Sequence, residues 1–251
     1  MEKVKILLSP TKNVSFHLPK FNISSTEPVF LKESNYLVEL LQNCNEDDFK
    51  RIFNASFSIT EENSKRYKNW SKEPQKYPSC YLYKGEAFKF LDVQSFKQVE
   101  LEYLQKHLFI LSGLYGVLKP LDLIQAYRLE MQSKLPITFP TKNLYGFWSK
   151  KITDYMNSLN LKTIINLASE EYFKVIDYKR LSCEVIQPVF KEYKNQKYSI
   201  VSIFSKQARG EMVKFICKNK LQSVEELKLF NALSYSYDAN LSDKFTWVFT
   251  R

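Results

Sequence analysis

The chain has 251 residues, 44% of them hydrophobic and 15% aromatic, and a formal net charge of +10. Such a length buries a sizeable core, in one large domain or two closely packed ones, and the composition excludes a disordered chain. The charge favours a polyanionic partner or an anionic substrate, although a lysine-rich, glycine-poor composition also follows from genome base bias.

Val4 to Leu8 reads as a buried strand, followed by Ser9-Pro10-Thr11-Lys12. A short apolar strand ending in such a loop is where α/β proteins place ligand groups, so Lys12 is either a site residue or an exposed lysine of a first loop. The stretch 15–28 is polar and rich in serine and threonine, a surface loop. Leu31 to Leu41 and Glu46 to Phe53 carry their apolar residues on one stripe and predict helices. A third helix runs from Thr60 to about Trp70. Its Lys65, Arg66 and Lys68, with Lys72 beyond and Tyr67 and Trp70 interleaved, either line a nucleic-acid groove or form a solvated face. Pro74 and Pro78 then break the chain before Cys80.

The stretch His107 to Met131 organises the rest. Glycine numbers five in the whole chain, where an average chain of this length carries roughly seventeen. Two of them, Gly113 and Gly116, stand three apart here. Val99 to Ile110 predicts a helix ending near Ser112, then a tight glycine turn and a short helical turn stopped by Pro120. That pattern is either a helix-hairpin-helix, whose backbone amides hold phosphate without reading bases, or a plain turn between packed helices. Beyond it, alternation places Arg128 and Glu130 on one side of an extended segment, as an anion-and-proton pair or a structural ion pair.

A helix starting by Leu144-Tyr145-Gly146-Phe147-Trp148 runs to about Leu159. Thr163 to Leu167 is a strand, and Asn166, Ser169 and Glu171 cluster where it ends, a common site arrangement. Glu184 to Phe190 and Tyr198 to Phe204 predict two strands paired antiparallel. Ser205 to about Lys220 predicts a helix on which Lys206, Arg209 and Gly210 share a face. Two cations near a helix N-terminus make sense when an anion binds between them, because the helix dipole is already positive there. Phe245 to Arg251 alternates as a last strand. Strands and helices interleave throughout, which predicts a mixed α/β (α+β) protein with an inserted helical hairpin over about 97–125.

Four scattered cysteines without a CxxC pair, and only two histidines, His17 and His107, suggest neither a disulfide framework nor a metal site, and no cofactor is called for. The same scarcity disfavours iron handling and serine–histidine catalysis. No apolar run approaches about eighteen residues and the start is too brief for a signal peptide, so a cytoplasmic protein without membrane contact is expected.

Taken together the chain resembles the peroxide stress protein YaaA family. The matching pieces include Leu8-Ser9-Pro10-x-Lys12, Tyr83-x-Gly85-x-x-Phe88 and His107-Leu108-x-Ile110-Leu111-Ser112-Gly113-Leu114-Tyr115-Gly116-Val117-Leu118. They go on through Pro120 to Gln125, Tyr127-Arg128-Leu129-Glu130-Met131, Asn166-Leu167-Ala168-Ser169, and Ser202-Ile203-Phe204-x-Lys206-x-Ala208-Arg209-Gly210-x-Met212. Departures are mild: Ala126 for proline, Gln132 for glycine, and Ser205 and Gln207 around Lys206, the last removing one positive charge. The resemblance implies one compact α/β domain of unusual topology, a helix-hairpin-helix and a positively charged cleft. It also implies binding of double-stranded DNA without sequence preference and a role in limiting damage by hydrogen peroxide. By position, Gly113, Tyr115, Gly116 and Lys119 would contact phosphate, and Lys12, Arg128, Lys206 and Arg209 would line the cleft. The competing expectation is an enzyme acting on a nucleobase, nucleoside or nucleotide, glycosylase- or lyase-like. There Lys12, Glu130 and Lys206 would be catalytic, with Glu130 or Glu171 as general acid or base and Asn166 and Ser169 in support.

Overall fold

The structure, a computed structural model, describes residues 1–16, 24–70, 75–137 and 141–251. The polar stretch 15–28 is described only at its ends, and His17, Lys72 and Pro74 lie outside the described residues. After β1 (Val4–Leu8) come three helices, α1 (Leu31–Gln42), α2 (Glu46–Phe53) and α3 (Phe57–Lys68). Asn45 caps α2 reciprocally: its side chain accepts the Asp48 amide, and the Asp48 carboxylate accepts the Asn45 amide. α3 starts three residues before Thr60, and its Arg66 lines a surface pocket with Trp70, Tyr77 and Gln125. Glu61 and Glu62 pair with Lys65 and Arg66, while Tyr67 is fully buried, stacked on Phe49 and Trp70.

β2 (Tyr77–Pro78), the short helices α4 (Ser79–Leu82) and α5 (Glu86–Leu91), and α6 (Gln98–His107) lead to the middle of the chain. Here the expected helix-hairpin-helix is replaced by a strand hairpin. α6 stops at His107, and β3 (Leu108–Ser112) pairs in parallel with β1 from Ile6↔Leu108 to Leu8↔Ile110. The chain turns through 113–115 into β4 (Gly116–Leu118), antiparallel to β3. All five residues of β3 are buried. A strand covered on both faces loses its alternation, so its apolar run reads like that of a buried helix. Gly116 has φ +69, and a Cβ there would meet the Trp148 ring at 2.7 Å, so the turn needs glycine for two reasons.

β5 (Leu123–Ile124) pairs with β2, and the next helix is α7 (Leu144–Ser158), capped by the Asn143 side chain. β6 (Thr163–Leu167) and the short α8 (Glu170–Phe173) follow, then β7 (Glu184–Lys194), β8 (Lys197–Ser199) and α9 (Ser202–Asn219). The expected β7–β8 antiparallel pair forms, but β8 is short and α9 starts three residues earlier than Ser205. Lys206 and Arg209 are therefore the fifth and eighth residues of α9, beyond the first turn where the dipole acts. β9 (Ser236–Tyr237) and β10 (Thr246–Thr250) close the chain.

The sheet runs β4-β3-β1-β6-β7-β10-β9, with β8 pairing to β7. β3, β1, β6, β7 and β10 are parallel, and β4 and β9 are antiparallel at the edges. This is a mixed α/β fold with a mostly parallel central sheet. β1 has β3 on one side and β6 on the other, so the chain order reverses at β1, and crevices at such switch points open at the carboxyl ends of the strands. One core cluster reaches from Val4 to Phe249 and includes the fully buried Trp148, Phe109 and Phe190. All four cysteines are free, with Cys44, Cys80 and Cys217 buried. Among the described residues no helix is long and apolar enough to cross a membrane.

α9 approaches α5 at Gly210, where a Cβ would run into the Ala87 carbonyl, whereas a Cβ at the exposed Gly146 of α7 meets nothing closer than 3.6 Å. Gly210→Ala is expected to destabilise the fold by about 1–3 kcal/mol. Gly146→Ala should stabilise it by up to about 1 kcal/mol. Urea unfolding of the two variants reads both signs.

Candidate functional site

The loops after β1 and β6 meet because their strands are neighbours. Ser169 donates its amide to the Ser9 Oγ at 2.8 Å, and the Ser9 hydroxyl donates to Ser169 Oγ at 3.1 Å. The 11–15 loop is pinned to the chain at 82–84: Ser15 N–H donates to Leu82 O, Lys84 N–H to Asn13 O, and Thr11 Oγ1 to Lys84 O. A third wall is the irregular 127–130 segment, and the fourth is α9 across the N-terminus of α5. Together they enclose a cleft of about 400 Å³ lined by Lys12, Arg128, Glu130, Ser169, Glu171, Lys206 and Arg209, among others.

The 127–130 segment has no ladder of its own and is fixed from behind. Tyr67 donates its hydroxyl to Arg128 O at 3.1 Å. Glu130 and Ser133 exchange hydrogen bonds, Glu130 N–H to Ser133 Oγ and Ser133 N–H to Glu130 O. Gly113 leaves room for the Leu129 carbonyl, which a Cβ would strike. The Tyr127 hydroxyl lies 2.7 Å from that of Tyr83 and 2.6 Å from Ser112 Oγ, which in turn accepts the Tyr115 amide. Burial pushes the Tyr127 phenol up to about 12.

The expected residues divide cleanly. Lys12, Arg128, Glu130, Ser169, Glu171, Lys206 and Arg209 share the cleft. Asn166 does not line it: it is buried, donates to Gln187 Oε1 and accepts the Ala168 amide, and so shapes the loop after β6. Gly113, Tyr115 and Gly116 are buried within the strand hairpin and cannot reach a phosphate. Lys119 lies near Lys5, whose amine is lowered to about 8 by burial first and then by the charges of Lys119 and Lys106. His107 is buried with Nδ1 at 3.2 Å from Val4 O, at the start of β1 and away from the cleft. Sequence reasoning missed the Tyr83–Tyr127–Ser112 hydroxyl chain, whose members are 44 and 15 residues apart; no spacing motif marks it.

The cleft is of mixed charge rather than positive: Lys12, Arg128, Lys206 and Arg209 face Glu86, Glu130 and Glu171. Glu130 takes Arg128 Nη2 on Oε1 at 3.1 Å and Lys12 Nζ on Oε2 at 2.8 Å. Glu171 is different. Burial, then the nearby Glu130 charge, raise its carboxyl above the usual range, against the Gln132 amide and Lys12. Its Oε1 is buried without a hydrogen-bond partner in the protein. So are Arg128 Nε and Arg209 Nε, and burial lowers the Arg209 guanidinium. Neither Arg209 nor the exposed Lys206 forms an ion pair with a described residue. Of four such unpartnered buried side-chain atoms among the described residues, three belong to residues that line this one cleft. Buried polar atoms are normally paired, so unpaired atoms of both signs on residues of one cleft set it apart from the rest of the interior. Among the described residues no three His, Cys, Asp or Glu side chains are grouped to hold a metal.

The two ion pairs on Glu130 should differ in strength. Lys12 is half exposed and Arg128 and Glu130 are nearly buried. Lys12→Ala is expected to cost less than about 1 kcal/mol, and Glu130→Ala, which strands Arg128, on the order of 3 kcal/mol. Glu171 carries the opposite sign. A carboxyl raised in the fold adds stability below its unfolded value, about 4.3, and that stability is lost as pH rises through the folded value. Glu171→Gln should therefore raise the melting temperature relative to the parent at pH 7, and the gap should close toward pH 4.

With this geometry in hand, comparison with known proteins is informative. A family model described as peroxide stress protein YaaA matches residues 4–241. A UPF0246 protein of Flavobacterium psychrophilum is 43% identical over 253 residues, covering 99% of this chain and all of that protein. UPF0246 proteins of Clostridium beijerinckii, 42% identical over 98% of this chain and 97% of that protein, and of Saccharophagus degradans, 40% identical over 98% of each, match equally along their length. This chain belongs to the peroxide stress protein YaaA family.

Proposed function

We propose that the chain serves the peroxide stress response through its cleft, which binds one phosphate-bearing nucleotide, free or within a DNA strand, and acts on it as an enzyme. The observation that carries this reading is the trio of unpartnered buried atoms, Arg128 Nε, Arg209 Nε and Glu171 Oε1, around one crevice at the switch point of the sheet. Binding sites in open α/β sheets lie there, and about 400 Å³ is in the range of small-ligand pockets. Arg209 and Lys206 hold the phosphate. Arg128, held in place by Glu130, adds positive charge beside the ligand. Glu171, whose carboxyl is raised by burial, gives its proton as general acid to the oxygen or ring nitrogen that leaves, while a solvent water forms the new bond at the atom it leaves.

A pure binder of the DNA backbone is the second reading, favoured by the +10 charge. Such a binder has no use for a cleft that sets guanidinium Nε atoms without partners beside a buried carboxyl, since phosphate contacts are made by exposed cations.

The test is calorimetric titration with nucleoside monophosphates and with duplex DNA across a salt series, for the parent, Arg209→Ala and Glu171→Gln. Arg209→Ala should weaken nucleotide binding about ten- to a hundred-fold, as expected for loss of a charged hydrogen bond. Glu171→Gln should bind as the parent does and lose turnover of the nucleotide. Duplex binding with a steep salt slope, indifferent to Arg209 and tighter in Glu171→Gln, with no turnover in the parent, would favour the pure binder instead.

A further inference from the structure

β7 runs parallel to β1 and β6, so its last residues pass the same carboxyl end of the sheet that holds the cleft. There it pairs with β8 in a hairpin whose two turn residues, Asn195 and Gln196, both lie in the left-handed region at φ 52 and 61. Three residues after β8, α9 begins and carries Lys206 and Arg209 into the cleft. The hairpin and the cleft are thus joined by one short piece of chain.

The two faces of the hairpin differ. Tyr193 and Tyr198 are cross-strand partners with ring centroids 5.0 Å apart, and they stay 57% and 42% exposed. On the other face Lys194 stands directly opposite Lys197, both exposed. Like charges in that position destabilise a strand pair. Neither lysine has a carboxylate partner among the described residues, and the nearest acid of the strand, Glu192, is taken up by Arg251 and Tyr235. A pair of exposed rings and a pair of unneutralised cations on one projecting turn match the chemistry of an unpaired nucleic-acid strand, in which bases stack on aromatics and phosphates meet lysine.

We propose that the β7–β8 hairpin docks such a strand, with bases on Tyr193 and Tyr198 and phosphates on Lys194 and Lys197, and hands the adjoining nucleotide to the cleft. The hand-over rests on the reading that the cleft takes a nucleotide; the docking does not. The experiment uses the full chain, a fluorescent thymidine oligomer of about a dozen nucleotides, thymidine monophosphate, and vesicles of mixed phosphatidylcholine and phosphatidylserine. Tyr193→Ala/Tyr198→Ala should lower oligomer affinity on the order of ten-fold or more and leave monophosphate binding unchanged. Lys194→Ala/Lys197→Ala should flatten the slope of log affinity against log salt by about 1.4, or roughly 0.7 per phosphate lost. Oligomer affinity unmoved in both double variants would overturn the docking, as would an oligomer bound no better than the monophosphate, or tyrosine-dependent binding to the vesicles but not to the oligomer. Arg209→Ala judges the cleft separately: monophosphate binding indifferent to it sinks the hand-over, whatever the oligomer does.

Discussion

The structure depends on the contact between the backbone at Gly113 and the irregular segment carrying Arg128 and Glu130. The Leu129 carbonyl occupies the space a side chain would fill at residue 113. Around it, Trp148 Nε1–H donates to Gly113 O at 2.8 Å, Tyr67 holds Arg128 O, and Ser112 meets the Tyr127 hydroxyl. A segment without ladder hydrogen bonds is normally mobile and solvated. Here it is held by buried donors from the core hairpin on one side and α3 on the other, which fixes a charged wall of the cleft without regular secondary structure.

Charge in the cleft is organised around that wall. Glu130 satisfies two cations at once, Lys12 and Arg128, while Lys206 and Arg209 form no ion pair with a described residue. Glu171 lies close enough for the Glu130 charge, after burial, to raise its carboxyl. Two neighbouring carboxylates thus stand in unlike surroundings, Glu130 held between two cations and Glu171 buried with Oε1 unpartnered. The Ser9–Ser169 link between the two loops keeps the floor of the site closed beneath them.

Much of this was legible in the residues, and the failures have a physical cause. β1, α2 and β6 were read with the observed boundaries because their apolar patterns and flanking polar residues agree. Seven of the expected site positions do share the cleft: strand ends and a helix face announce Lys12, Ser169, Glu171, Lys206 and Arg209 as candidates, while their meeting in one cleft with Arg128 was implied by the family resemblance and not by any local spacing. The central stretch was misread because β3 is buried on both faces and its run LFILS has no period to betray a strand. The phosphate contacts assigned to Gly113, Tyr115 and Gly116 fell with it: those glycines are there for close approach and a left-handed turn, not for a ligand. The mixture of charges in the cleft is legible only in part: Glu130 and Glu171 are expected beside the cations, but Glu86 faces the site only through the packing of α5 on α9, which no linear spacing records.

The cysteines bear on how a chain of this family meets its oxidant. All four thiols are pushed up, Cys80, Cys183 and Cys217 foremost by burial and Cys44 by burial with Asp48 in addition. Peroxide attacks the thiolate, and its rate follows the thiolate fraction and access to it. With every sulfur shifted away from the thiolate, these four thiols react with peroxide more slowly than a free cysteine does.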